Sequence, residues 1–456
     1  MLKLEKNLEK IEKHIYADYK KKTLKSKKLF SKLNQIMPGG VSGSFRYFAP
    51  YPFYIKSAEK SHIVDIDNNK YLDLFSGNGP LLLGHNNPKI LKEVTRNKKY
   101  GSLPLNPDLL YECSSLIREL VPSAESIRFL NTGTEAVMSA IRIARAYSGK
   151  SKIVKFHGHY HGQHDEFLIA IDKSKDLFSH GVPPSSINKV IVEPFNSIKS
   201  LEKLFKKDSD IAAVIMDASM HAGGLWGTTR SYLKELRRLT KKYKIILIFD
   251  EVITGFRLSS GGAQKCYGIT PDLSTFAKAM GAGEKIAAVA GKKNIMSILD
   301  PSIQSDKYVF QSGTVNDGTG ALSSAIAALK IYKSYEQQGK YILLNNKAIK
   351  LKEGLIHIFN ELNIPCQINQ VGSMLQIFIS PNNIDFFKPD KRFNKIIELF
   401  YLALINHNIL LSLPTSNHIY LSFMHTNRDI NSILSISKYV LNYYNFNKLD
   451  FDNIQD

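Results

Sequence analysis

Residues 274–283 read STFAKAMGAG, which sets one lysine, Lys278, among Ala, Phe, Met and Gly. A lysine in so small and apolar a setting loses part of its preference for the ammonium form, so its amine becomes nucleophilic. Schiff-base chemistry asks for that amine. The ordinary alternative is a surface lysine with its stem laid along apolar neighbours. Ala277, Ala279, Gly281 and Gly283 leave room for a flat ring beside the chain. Asp250 and Glu251 end the apolar run KIILIFDEV (244–252), the place where parallel α/β sheets put their ligand-binding groups. A carboxylate there needs a cation or a donor. The pair also resembles a Mg²⁺ site, but no Gly-x-x-x-x-Gly-Lys precedes it to make a triphosphatase. In FLNTGTEAVMSAIRIARAYSG (129–149), Thr132 and Glu135 form a capping-box signature ahead of a helix. Its N–H groups and the hydroxyls of Thr132 and Thr134 suit a phosphate, though an ordinary capped helix reads the same way. A phosphate cradle, a carboxylate for a ring nitrogen and a lysine for an aldehyde are the groups that pyridoxal 5′-phosphate requires.

The elements that must position them follow from the apolar pattern. KIVKF (152–156), KVIVE (189–193), AAVIMD (212–217) and KIILIFDEV are short, nearly continuous apolar runs separated by helical stretches, and IRFLN (127–131) leads into the capped helix. That pattern predicts an α/β fold with a large, mainly parallel sheet covered on both faces. Residues 51–75 alternate around an Asp-Asn-Asn turn and predict an antiparallel meander. A long helix from about 321 leads to an α+β portion with strands near 374–380 and 418–423. The expected organisation is a basic helical segment over 1–36, part of a small domain over 37–85, a large cofactor-binding domain over 86–320, and the rest of the small domain over 321–456.

Composition excludes several classes. The 456 residues are 43% hydrophobic and 22% charged, as in a soluble globular protein. No apolar run approaches the length that crosses a bilayer, and MLKLEKNLEK lacks the apolar core of a secretion signal. Three scattered cysteines fit a reducing cytoplasm. The net charge of +20 is spread along the chain, with no nucleic-acid recognition motif beside it. Its densest part is residues 1–33, where Leu2, Leu4, Leu8, Ile11 and Ile15 are spaced for an amphipathic helix that packs on the body or on a partner subunit.

MPGGV (37–41), GPLLLGHNNP (79–88), NTGTEAVMSAIRIAR (131–145), KFHGHYHG (155–162), LIFDEVITGFR (247–257), GGAQKCYGITPDLSTFAK (261–278) and QSGTVNDG (311–318) share their order with one family. On them the chain resembles the class III aminotransferases, fold-type I pyridoxal-phosphate enzymes, and within these glutamate-1-semialdehyde aminomutase and its relatives. The resemblance implies that Lys278 forms the internal aldimine and that Asp250 partners the pyridinium, with Glu251 in a supporting role. It implies that Thr132, Gly133 and Thr134 hold the phosphate and that Tyr160 stacks on the ring. It further implies a homodimer with shared active sites, in which Thr314 contacts the neighbouring subunit's phosphate, and a substrate-carboxylate contact at Arg46. HGHYHGQHD (157–165) carries four histidines, three of which would share one face of a strand, but the resemblance accounts for Tyr160, His161 and Gly162 without a metal.

The chain departs from the aminomutase in three places. Asn78 stands before Gly79-Pro80 where the family has Trp, Asn417 stands where it has Glu, and Glu284-Lys285 replaces Leu-Pro. Two of these lie on the substrate side, so the expectation is an aminotransferase moving an amino group from a small-molecule donor to an aldehyde or ketone in ping-pong fashion. The alternative is glutamate-1-semialdehyde 2,1-aminomutase, an enzyme of tetrapyrrole biosynthesis. Neither nucleic acid nor membrane is expected as a partner.

Overall fold

The computed structural model describes residues 2–103, 105–171, 177–303, 306–380, 384, 391–449 and 451. They fall into two compact units, one of residues 88–341 and one of residues 1–87 with 342–456. Met1 and residues 452–456 of the expected end segments lie outside the described residues.

The central unit is built on seven strands: β1 (Ser126–Leu130), β2 (Lys152–Phe156), β3 (Val190–Glu193), β4 (Ile211–Met216), β5 (Ile246–Asp250), β6 (Leu273–Phe276) and β7 (Ala287–Gly291). They are ordered β1-β7-β6-β5-β4-β2-β3. All neighbours are parallel except β7, which runs antiparallel to β1 and to β6. Every residue of β4, β5 and β7 is buried, which is why those strands read as continuous apolar runs rather than alternating ones. Helix Gly133–Ser148 lies across β4 to β7 and buries Ala136, Val137, Ala140, Ile141, Ile143 and Ala144. Neither β6 nor β7 was expected from the sequence.

Two corrections concern boundaries. Helix Thr319–Gln337 packs on Pro88–Arg96 and Leu109–Leu120, so the central unit continues to Tyr341 instead of closing at 320. The basic segment is two helices, Leu2–Lys22 and Leu24–Leu33. The first buries Leu4, Ile11, Ile15 and Tyr19 and lies against helix Lys391–Asn406 of its own chain.

The second unit joins both chain ends. Ile55–Glu59, His62–Asp65 and Lys70–Asp73 form the expected antiparallel meander, and Ile409–Leu410 adds to it in parallel. A separate antiparallel sheet consists of Cys366–Val371, Met374–Ile379 and His418–Tyr420.

Candidate active site

The C-terminal ends of β2, β4, β5 and β6 gather most of the buried titratable groups of the central unit. Register pairs Met216 with Phe249, so Asp217 and Asp250 are the next residues on adjacent strands. Asp250 is 5% exposed. Its Oδ1 accepts from the Val252 N–H (3.1 Å) and the Thr275 hydroxyl (3.1 Å), and its Oδ2 lies 2.6 Å from His161 Nδ1. Asp217 accepts from the Ser219 N–H (2.9 Å) and hydroxyl (2.8 Å) and from the His221 N–H (3.3 Å). Burial raises the pKa of both carboxyls to about 6, Asp250 adding to the rise at Asp217.

Lys278 follows β6 in a left-handed backbone conformation (φ 44°). Its turn is anchored to helix Thr319–Gln337, since Tyr332 donates to the Ala279 carbonyl (2.8 Å) and Ser324 to that of Gly281 (2.7 Å). A Cβ on Gly281 would lie 2.3 Å from the Glu284 carbonyl oxygen, and Ala279 is fully packed. Gly281 is thus required by the turn itself, whatever room the small residues around Lys278 also leave for a ring. Burial, then the Arg257 guanidinium, lowers the Lys278 pKa to about 8, against the opposing pull of Asp250 and Asp217. At the opposite end of β6, Asp272 receives Arg237 (2.7 Å), Lys292 (2.6 Å) and the Leu247 N–H (2.9 Å), fixing β6 beside β5 and so Lys278 beside Asp250.

The capped helix begins as expected. Thr132 Oγ1 accepts from the Glu135 N–H (3.2 Å) and Glu135 Oε2 accepts from the Thr132 N–H (2.8 Å) and hydroxyl (3.1 Å). The Thr132 hydroxyl is therefore committed to the cap, and Thr134 Oγ1 accepts from the Gln163 N–H (3.2 Å). The Thr132 hydroxyl lacks the freedom first expected of it, whereas the Thr134 hydroxyl, an acceptor in this contact, keeps its own O–H to donate. The N–H groups of Gly133 and Thr134 remain at the positive end of the helix. A Cβ on Gly133 would lie 2.9 Å from Val252, and one on Gly162 would lie 2.8 Å from Thr134 Oγ1. The helix start, the 157–163 stretch and the end of β5 are thereby in close contact.

The histidines do not share a strand face, because β2 ends at Phe156 and the chain turns with Gly158 and Gly162 at positive φ. His161 is paired to Asp250, and His159 Nδ1 accepts the Asp217 N–H (3.1 Å). Tyr160, 37% exposed, lies close enough to Asp250 for its hydroxyl pKa to be raised, after burial, by that charge. Glu251 accepts from the Ala263 N–H (2.7 Å), the Gln264 N–H (2.9 Å) and the Thr254 hydroxyl (2.7 Å), holding the loop after β5. Thr314 is exposed in an irregular stretch tied to the end of β1 through Asn316 and Asn131 (2.7 Å). Asp217, Thr275, Arg257 and Lys155 were not singled out from the sequence, and His159 was weighed there only as one of the alternating histidines. Their meaning lies in strand register and burial, which spacing along one chain does not carry.

Arg46, Asn78 and Asn417 belong to the other unit. Arg46 is exposed and donates to Ser42 Oγ (3.0 Å). Asn78 accepts from the Tyr420 hydroxyl (2.9 Å), which brings it to the strand that follows Asn417. Both asparagines are left-handed (φ 70° and 58°), a conformation that Asn adopts more readily than Glu or Trp. Glu284 and Lys285 are exposed in the turn before β7.

A lysine on a built turn, a buried carboxylate beside it and a helix N-terminus closed by two glycines fit an aldehyde-bearing pyridine phosphate. Fold and site together are those of fold-type I pyridoxal-phosphate transaminases. An omega-transaminase from Sphaerobacter thermophilus superposes with a TM-score of 0.86 at 28% identity, covering 92% of this chain and 98% of that one. A glutamate-1-semialdehyde-aminomutase from Pseudomonas aeruginosa PAO1 gives 0.85 at 19% identity, covering 96% and 98%. The profile of the family "Aminotransferase class-III" matches residues 46–403, and the chain belongs to that pyridoxal-phosphate-dependent family. It is 37% identical over 421 residues to the glutamate-1-semialdehyde 2,1-aminomutase of Methanobrevibacter smithii, covering 89% of this chain and 95% of that protein. Against the enzyme of the same name from Nitrosopumilus maritimus it is 36% identical over 418 residues, covering 90% and 97%.

Proposed function

We propose that the chain is a glutamate-1-semialdehyde 2,1-aminomutase, which moves an amino group within one five-carbon substrate to give 5-aminolevulinate. The observation that carries this reading is the match to relatives of that name at 36–37% identity across about nine-tenths of the chain. It displaces the preference for an intermolecular aminotransferase drawn from Asn78 and Asn417.

In this proposal Lys278 Nζ binds the cofactor aldehyde and afterwards carries a proton to and from the amine-bearing carbon of the substrate. Asp250 accepts the ring N–H, with His161 and Thr275 fixing its orientation. The Gly133 and Thr134 N–H groups hold the phosphate behind the order imposed by Thr132, and Tyr160 covers a ring face. The bound cofactor supplies an electron sink for the carbanion formed when that proton leaves. Arg46, Asn78 and Asn417 face the substrate. We further propose a homodimer in the cytoplasm. Leu103, Leu105, Phe310 and Val315 are large apolar side chains more than half exposed, and Thr314 stands among them, as a residue reaching a second copy's phosphate would.

The test is purified holoprotein with glutamate-1-semialdehyde and no added amino donor. Formation of 5-aminolevulinate is expected. Product that appears only with an added donor would establish the intermolecular aminotransferase instead, the reading that the two left-handed asparagines favour.

A further inference from the structure

Behind Asp250, on the opposite face of the sheet, lies a second buried polar cluster. Successive side chains of a strand point to opposite faces, so the register partners Asp250 and Thr275 share one face while Glu251 and Ser274 belong to the other. The pairing continues one residue past Asp250, since the Glu251 N–H donates to the Thr275 carbonyl (2.9 Å). Glu251, Ser274, Gln264 and Ser123 are all buried. Gln264, in the short helix Gly262–Tyr267, reaches both strands. Its Nε2 donates to Ser274 Oγ (3.1 Å) and to Glu251 Oε1 (3.3 Å), and its Oε1 accepts the Ser123 N–H (2.8 Å). The Ser123 and Ser274 hydroxyl oxygens are themselves 2.9 Å apart.

The partners fix the orientation of the Gln264 amide. A backbone N–H only donates, so Oε1 must face Ser123, and the amide protons are left for the carboxylate and the Ser274 hydroxyl. With the Ala263 N–H, the Gln264 N–H and the Thr254 hydroxyl, that side chain brings four donors to one buried carboxylate. A Cβ on Gly262, at φ 76°, would strike the same carboxylate. Apolar side chains of similar volume would fill this space without desolvating a charge, so stability alone does not account for the cluster. What it supplies is position. A fully satisfied hydrogen-bond network specifies one arrangement, where apolar packing tolerates several.

We propose that Gln264 is a positioning residue, which from the far face of the sheet locks the end of β5 to β6 and so aligns Asp250 toward the cofactor's ring nitrogen. The lever is short. Glu251 is the residue after Asp250, and Ser274 is the residue before Thr275, whose hydroxyl donates to Asp250 Oδ1 (3.1 Å). One amide therefore ties together the neighbours of both partners in that hydrogen bond. Without it Glu251 and Ser274 lose their common donor, the two strand ends can shift against each other, and Asp250 loses the direction in which it accepts the ring N–H. Because it sits on the opposite face, Gln264 acts through Asp250 and Thr275 and not on the reacting atoms.

The inference rests on the proposed contact between Asp250 and the ring nitrogen and is independent of the substrate, so a negative aminomutase assay leaves it standing. The experiment reconstitutes holoprotein with pyridoxal phosphate carrying ¹⁵N at the ring nitrogen, whose NMR shift separates the protonated ring from the unprotonated one. The wild type should show a protonated nitrogen and Asp250→Asn an unprotonated one. Gln264→Met keeps the length of the side chain and removes its three hydrogen bonds. Its nitrogen signal should move toward that of Asp250→Asn, and its affinity for pyridoxal phosphate should fall roughly tenfold, while the visible band of the lysine-bound cofactor remains. Ser274→Ala, which removes the Ser274 arm alone, should show a smaller displacement and replaces the Met variant if that does not fold. A nitrogen signal left at the wild-type position in both variants, with only the melting temperature lowered, would make Gln264 a structural residue and overturn the proposal while the Asp250 contact stands. A signal unmoved in Asp250→Asn as well would remove that contact and the proposal with it.

Discussion

Asp250 carries a burial cost that a proton or a cationic ligand relieves. Burial raises its pKa to about 6, so the folded apoprotein binds the proton more tightly than the unfolded chain does. Its unfavourable contribution is fully present above about pH 6 and is relieved as the pH falls from there toward the ordinary value of 3.8. Asp250→Asn keeps an acceptor for His161 and removes the buried charge. The apo variant is therefore expected to melt higher than wild type above about pH 6, while its affinity for pyridoxal phosphate falls. A lower melting temperature throughout would mean that Asp250 is a structural residue. Lys278 gives a second residue-scale prediction. Its amine is neutral above about pH 8, so the rate at which apoprotein captures pyridoxal phosphate should rise with pH and reach half its plateau near about 8. A midpoint in the ordinary lysine range, read by stopped-flow absorbance, would remove Lys278 from the buried cluster. Lys278→Ala should abolish the visible band of the lysine-bound cofactor.

At the scale of elements, Lys278 is held by the turn, and the turn is held by a helix. Ser324→Ala and Tyr332→Phe each remove one hydrogen bond to its carbonyls and should cost about 1 kcal/mol apiece. Their larger effect is expected on turnover, since a lysine displaced from its geometry loses rate steeply. Stability lost with turnover intact would separate the turn from the chemistry. This dependence explains what was legible in the sequence. The lysine, the aspartate and the capped helix stood out because residue type and spacing along one chain suffice for them. β6 is only LSTF and β7 is AAVAG, short or small strands whose stability comes from neighbours on both edges rather than from propensity. The histidines of 157–161 were read as a strand face because their alternation continues that of KIVKF, whereas two glycines turn the chain out of the sheet. Asp217 became visible as a site residue only when register set it beside Asp250.

The whole molecule poses a different problem, because one of its units is assembled from both ends of the chain. Helix Leu2–Lys22 supplies Leu4, Ile11, Ile15 and Tyr19 to that unit, and Lys22 Nζ donates to the carbonyls of Ile405 (3.2 Å) and Asn406 (2.9 Å) at the end of helix Lys391–Asn406 and to Asn408 Oδ1 (2.5 Å). The two carbonyls lie in the last turn of that helix, which has no following turn to supply its N–H donors, and a cation suits them. Part of the basic balance near the start of the chain is thus consumed internally, by a lysine whose pKa burial lowers to about 8. Four buried side chains are worth roughly 1.5–3 kcal/mol each, so removing residues 1–22 should expose the face of Lys391–Asn406 and loosen the sheet it supports. Hydrogen exchange followed by mass spectrometry should then show protection lost in Lys391–Asn406, Ile409–Leu410 and Lys70–Asp73, with Ile211–Met216 and Ile246–Asp250 unchanged. Lys22→Met should reproduce a weaker form of the same pattern, because it keeps the apolar stem and removes only the donor. Equal loss of protection in β4 and β5 would mean that the two units unfold as one, and the division at residues 87 and 341 would then describe packing without describing cooperativity.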